Sequence, residues 1–194
     1  MSEVHHATVF FSGRVQGVGF RPFVYGLASR LGLSGSVRNQ TGNVFIEVEG
    51  EPAELDAFVR EIETRPPPLA RIQRIDCRPR VARGDRRFEI APSDRDAAGA
   101  VHVCADIATC DDCLRELFDS HDRRFRYPFT NCTNCGPRLT IVTGAPYDRA
   151  KTTMAGFEMC AACRTEYENP LDRRFHAQPT ACAVCGPVVA LRVE

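Results

Sequence analysis

Two sets of residues in this chain have types and spacings that can do chemistry. The first is the run Gly13-Arg14-Val15-Gln16-Gly17-Val18-Gly19-Phe20-Arg21. Its closely spaced glycines let backbone N–H groups turn toward one point without Cβ obstruction. A helix starting directly after the loop adds the positive end of its dipole, so the site suits an anion. Arg21 at that helix start carries a planar fork able to grip two oxygens of a phosphate. Two better-known glycine motifs are excluded. The Walker pattern needs Gly-Lys at its end and no lysine is here, and the dinucleotide pattern needs a third glycine where Pro22 stands. On spacing alone, the same run reads equally well as a tight strand-to-helix turn with a surface arginine.

The second set is cysteine. Of 10 cysteines, eight fall into the Cys-x-x-Cys pairs Cys110/Cys113, Cys132/Cys135, Cys160/Cys163 and Cys182/Cys185. The last two pairs repeat the first two at an offset of 50 residues. The copies also share Asp-Arg-Arg-Phe (122–125 and 172–175), Glu116/Glu166, Thr130/Thr180 and a Gly-Pro after the last cysteine. Each unit is Cys-x2-Cys-x18-Cys-x2-Cys, within the spacing range of a four-cysteine zinc site. Two residues between cysteines let one turn present both sulfurs to a tetrahedral ion. Four thiolates leave no position for water or substrate, so two structural zinc ions are expected rather than catalytic ones. Disulfides fit a secreted chain, and no export signal is present. A redox pair is not expected four times in register. Sequential pairing within each repeat is the simpler assignment. Cys104, His102, His121 and His176 fall outside the ligand pattern and are expected at surface or packing positions. Arg123-Arg124 and Arg173-Arg174 are expected to pair with Asp122, Asp172 and their acidic neighbours.

The elements that must position these residues follow from composition and periodicity. Hydrophobic residues make up 43% and charged residues 26% of 194, a globular mix. Lys+Arg and Asp+Glu both total 25, and neither half is basic enough to advertise nucleic-acid binding. No apolar run approaches the roughly 20 residues of a membrane span. We therefore expect no nucleic acid, no membrane and a cytoplasmic location. Residues 1–92 read as one domain, 93–104 as a polar linker, and 105–194 as two repeated fingers (110–135 and 160–185). In the first domain Val9 and Phe11 alternate on a strand, and Phe23, Leu27 and Leu31 stripe a helix. Val37 sits on a second strand ending in a hairpin loop at 39–43. Val44, Ile46 and Val48 alternate on a third strand. Leu55, Phe58, Val59 and Ile62 obey the i, i+3, i+4, i+7 rule for an amphipathic helix. Ile75 and Cys77, then Phe88 and Ile90, supply closing strands, with Cys77 expected in the core. This order predicts an α+β fold, a ferredoxin-like βαββαβ arrangement on one antiparallel sheet. Asn39 reads from sequence alone as a turn residue.

The loop Gly13–Arg21, the following helix and Ser36-Val37-Arg38-Asn39 with its Gly-Asn turn resemble the acylphosphatase signature. That resemblance implies that Val15, Gln16, Gly17, Val18, Gly19, Phe20 and Arg21 cradle a phosphate. It implies that Arg21 is the essential anion grip and that Asn39 positions the attacking water. Tyr127-Pro128-Phe129-Thr130-Asn131-Cys132-Thr133-Asn134-Cys135-Gly136-Pro137-Arg138 and Pro146-Tyr147-Asp148-Arg149 resemble a further family. So do Arg174-Phe175-His176-Ala177-Gln178-Pro179 and the cysteine frame. This is the HypF carbamoyltransferase family of [NiFe]-hydrogenase maturation. The resemblance implies carbamoyl phosphate as substrate, with a carbamoyl group destined for cyanide ligands. It implies a HypE-type partner whose C-terminal cysteine accepts that group, and ATP used in downstream domains. Family members continue well past residue 194, so the chain resembles an N-terminal portion. A non-catalytic zinc-dependent docking module, and a general acylphosphatase with unrelated fingers, are the alternative readings.

Overall fold

A computed structural model describes residues 5–40, 43–93, 105–144 and 146–193. His102, Cys104 and all but Ser93 of the segment expected as a linker lie outside these residues. In the first domain β1 (His5–Arg14), β2 (Ser34–Gln40), β3 (Asn43–Gly50), β4 (Arg71–Arg80) and β5 (Phe88–Ile90) form a sheet in the order β4-β1-β3-β2-β5. Helices α1 (Phe20–Arg30) and α2 (Pro52–Thr64) pack on it. The β1–β3, β1–β4 and β2–β3 pairings are antiparallel. β5 departs from the expectation of one antiparallel sheet, because it runs parallel to β2 at the edge.

Period-two alternation built the core face as read: Val9, Phe11, Val44, Ile46 and Val37 are fully buried. Each such side chain contributes on the order of 1.5–3 kcal/mol when taken from water. The stripe of α1 is shifted from the expected one. Phe20, Val24, Leu27 and Ala28 face the core, while Phe23 and Leu31 are only partly covered. On α2, Phe58 and Ile62 are buried. The expected loop at 39–43 is shorter in fact, since Asn39 pairs with Val44 and Gln40 with Asn43 within the β2–β3 ladder. Asn39 is therefore a strand residue with a fixed direction. Cys77 is not in the core: it pairs with Val9 across β4, but β4 is an edge strand and the thiol is exposed. Glu49 is 2% exposed and accepts from the backbone N–H groups of Arg83, Gly84 and Asp85, which satisfies an otherwise costly buried carboxylate.

The second half has two matching short helices, α3 (Asp111–Phe118) and α4 (Ala161–Glu168), each begun by the first cysteine of its repeat. The repetition extends to the backbone. Arg126 and His176, equivalent positions, both take the left-handed conformation, at φ 56° and 53°. No helix among the described residues is long and apolar enough to cross a membrane.

Candidate active site and metal centres

The anion loop is built where β1 ends. Its register slips between Ser12 and Gly13, and the chain then turns through residues 15–19 into α1, whose first turn contains Arg21. Gly17 and Gly19 have φ of 72° and 76°, which a residue with a side chain rarely adopts. The loop is clamped to the hairpin by Gln16, whose Nε2 donates to the carbonyls of Gln40 at 2.6 Å and Asn43 at 3.0 Å. Gln16 thus fixes the distance between the loop and the strand that carries Asn39. The sequence had placed Gln16 only among the cradle residues.

Arg21 and Asn39 meet. With the amide oxygen of Asn39 turned toward Arg21, it accepts from Nη2 at 3.2 Å and Nε at 3.3 Å. That orientation is assigned from the hydrogen-bond network. Asn39 is 1% exposed and Arg21 9% exposed, so their mutual geometry is held by packing. Arg21 has a further partner that sequence reasoning missed. Its Nη2 lies 2.9 Å from Oδ1 of Asp148, 127 residues away between the two cysteine units. Ser93 accepts more weakly from Nη1 at 3.5 Å.

The finger half covers the loop. A Cβ on Gly17 would lie 2.6 Å from Cβ of Pro137 and 3.0 Å from the Tyr147 ring, and one on Gly19 would lie 3.0 Å from Thr133. The rings of Tyr25 on α1 and Phe175 are 5.5 Å apart. Between loop and cover remains a cavity of about 20 Å³, room for about one water, bordered by Gly17, Gly19, Arg21, Asn131 and His176. Arg21 also borders a wider cleft of about 410 Å³, lined further by Ser93, Asp148, Lys151, Tyr167, His176 and Gln178. His176, expected only at a surface or packing position, borders both. Burial, reinforced by the charge of Arg21, lowers its pKa to about 4, so it is neutral at physiological pH.

The eight paired cysteines gather as two quartets, Cys110/Cys113/Cys132/Cys135 and Cys160/Cys163/Cys182/Cys185, with all ligand atoms of a quartet within 4.8 Å. Sulfur separations are 3.6 Å for Cys110–Cys132, 3.9 Å for Cys132–Cys135, 3.8 Å for Cys160–Cys182 and 3.6 Å for Cys163–Cys185. A tetrahedron with metal–sulfur bonds of about 2.3 Å has edges of about 3.8 Å. A disulfide would need about 2.05 Å. The donor set and its dimensions fit a closed tetrahedral metal site in each repeat.

The paired arginines do not pair with Asp122 and Asp172 as expected. Those carboxylates instead accept from the backbone N–H of Arg124 and Arg174, each at 2.7 Å. The guanidinium groups cross to the other repeat. Arg123 Nη2 donates to Sγ of Cys163 at 3.2 Å and to Glu166 at 2.6 Å. Arg124, 1% exposed, donates to Glu166 at 3.0 Å and to the Ala181 carbonyl at 3.0 Å. Reciprocally, Arg173 donates to Sγ of Cys113 at 3.0 Å, and Arg174 to Glu116 and the Asn131 carbonyl, each at 3.1 Å. Burial works against the Glu166 carboxylate, but Arg124 and Arg123 outweigh it and hold the pKa at about 2. A divalent ion with four thiolates keeps a net negative charge, and these arginines are placed to offset it. His121 is exposed and lies outside both quartets.

Both halves of the chain match known proteins. The Acylphosphatase family profile matches residues 7–90, and the HypF finger profile matches residues 109–142 and 159–192. The chain is 50% identical over 154 residues to "Carbamoyltransferase HypF" of Rhizobium leguminosarum bv. viciae, covering 79% of this chain and 20% of that protein. It is 41% identical over 76 residues to "Acylphosphatase" of Oceanobacillus iheyensis, covering 39% of this chain and 84% of that one. The crystal structure of full-length HypF in the phosphate- and nucleotide-bound form superposes with a TM-score of 0.93 at 49% identity, covering 97% of this chain and 25% of that one. The chain spans about a fifth of the length of the curated HypF relatives it matches. It joins an acylphosphatase domain to a pair of HypF fingers, and it belongs to the HypF carbamoyltransferase family.

Proposed function

We propose that this chain hydrolyses an acyl phosphate, namely carbamoyl phosphate, to carbamate and inorganic phosphate. The observation that carries the reading is the contact of Arg21 with Asn39 beside the glycine loop. In this scheme the backbone N–H groups of residues 15–20 and the Arg21 fork take the phosphoryl oxygens. Phosphate draws the fork off Asn39, and the freed amide oxygen accepts a hydrogen bond from water. The water oxygen then bonds to phosphorus while the bond from phosphorus to the acyl oxygen breaks. Carbamate leaves with the electron pair, and the water's protons pass to phosphate and solvent. An acyl phosphate is already activated, so placement and charge stabilisation are the catalysis required.

The two cysteine quartets hold zinc as structural ions in this reading, supported by the four-thiolate donor set and the edge lengths above. Reduced, metal-binding cysteines favour a cytoplasmic location. The carbamate would feed carbamoyl transfer to the C-terminal cysteine of a HypE-type partner, an ATP-dependent step that serves cyanide-ligand synthesis in hydrogenase maturation. The test is phosphate release by the purified chain from carbamoyl, acetyl and benzoyl phosphate. Preferential turnover of carbamoyl phosphate is expected. Equal turnover of all three would make the chain a general acylphosphatase, and none would make it a docking module.

A further inference from the structure

We propose that Asp148, contributed by the finger half, is the residue that recognises the acyl group, by accepting a hydrogen bond from the amide N–H of the substrate. The inference rests on the carbamoyl phosphate reading and adds a specificity determinant to it. An acyl phosphate site assembled from residues 7–90 alone offers the phosphoryl group a full set of donors, through Arg21 and the glycine loop. The Asn39 amide oxygen beside the grip is taken up by the attacking water, and donors alone do not tell one small acyl group from another. A carbamoyl group and an acetyl group have nearly the same size and the same carbonyl. They differ in that one ends in two N–H donors and the other in a methyl. Discrimination therefore requires an acceptor beside the anion grip, and Asp148 is a carboxylate at 2.9 Å from Nη2 of Arg21.

The surroundings favour this role over a surface ion pair. The Asp148 side chain is 26% exposed against 10% for Arg21, and both residues border the 410 Å³ cleft. Tyr147, the preceding residue, is 2% exposed and packs against Gly17, and the following Arg149 is pinned by its N–H to Gln178 at 2.7 Å and by its guanidinium to the carbonyls of Gln178, Thr180 and Phe157. The carboxylate is thus held from both sides on a fixed stretch of backbone. When phosphate takes the Arg21 fork, Asp148 loses that donor and stands within about two hydrogen-bond lengths of the phosphoryl oxygens, the span at which a carbamoyl nitrogen sits. A carboxylate so close to a phosphate is electrostatically unfavourable, and an N–H placed between the two relieves it. A methyl cannot. A site built to bond an N–H group rejects the analogue lacking it far more strongly than a shape difference would allow.

The test compares Asp148→Ala and Asp148→Val, neither of which keeps an acceptor, with the unaltered chain, measuring kcat/KM for carbamoyl and acetyl phosphate and inhibition by inorganic phosphate. Bound metal and circular dichroism establish that each variant is folded. The expected result is a fall of at least tenfold in the carbamoyl-to-acetyl ratio, with acetyl phosphate and inorganic phosphate binding unchanged or tighter. Parallel losses on both substrates with weaker phosphate inhibition would mean that Asp148 only positions Arg21, and the proposal fails. Should the unaltered chain turn over neither substrate, the hydrolysis reading fails on its own. Calorimetric binding of the two acyl phosphates then decides the role of Asp148 by the same ratio.

Discussion

Arg124 belongs to the first finger, yet its removal should damage the metal site of the second. Arg124→Ala deletes a guanidinium that is 1% exposed and donates to the Ala181 carbonyl and to Glu166. Removing one partner of a buried ion pair typically costs about 3–5 kcal/mol. Arg123 still reaches Glu166, which places this part of the loss at the lower end of that range. The orphaned Ala181 carbonyl adds about 1–3 kcal/mol. A total of about 4 kcal/mol is expected. Because structural metal affinity is largely folding free energy, chelator should extract the affected ion at roughly a hundredth to a thousandth of its former concentration. Thiol alkylation during a chelator titration, mapped by mass spectrometry, reads the location. Cys160, Cys163, Cys182 and Cys185 should label first, with Cys110, Cys113, Cys132 and Cys135 following. Earlier labelling of the first quartet would refute the cross-repeat argument, as would labelling indistinguishable from that of the unaltered chain.

Three further outcomes are expected. Elemental analysis of protein purified without chelator should find about two zinc ions per chain, each contributing on the order of 10 kcal/mol to folding; one ion or none with all thiols intact contradicts the two-site reading. Arg21→Ala should harm both phosphate binding and turnover, whereas Asn39→Ala should lower kcat with phosphate inhibition largely kept, because water placement is felt in the transition state. The folded-state pKa of His176, lowered to about 4 from 6.5 by burial and then by Arg21, means that the unfolded chain binds more protons between those values. Stability should therefore fall as pH drops from about 6.5 toward 4, by up to about 3 kcal/mol for this one group. Denaturation curves of His176→Asn, whose side chain tolerates the left-handed backbone there, should be less steep in pH across that window.

What the sequence disclosed depended on whether a signal was local. Alternation at Val9, Phe11, Val44 and Ile46 reports a buried face directly, because a strand has period two. The cysteine spacing reports its own geometry, since a two-residue turn aims both sulfurs. Asn39 was harder: a strand residue beside a hairpin looks like a turn until the Gln40–Asn43 pair is known. Cys77 misled because alternation gives the face of the sheet and not whether the strand lies at its edge. Asp148 carried no chemical signal, for it meets Arg21 only across 127 residues of chain. The arginines failed for a related reason. A neighbouring aspartate was the obvious partner, but the aspartates are bound to backbone N–H groups and the long guanidinium arms reach elsewhere.

The crossing arginines have the geometry of a twofold axis. Arg123 of one repeat meets Glu166 of the other, and Arg173 meets Glu116, so the image of the one contact is the other. That is the self-complementary pattern of an isologous homodimer, here made within one polypeptide. The tandem array is in effect a dimer whose protomers are tethered, and the tether keeps each half at a high effective concentration for the other. A single finger cut from the chain would present unmatched arginines and a cysteine quartet with its charge uncompensated. Its natural course would be to find a second copy of itself.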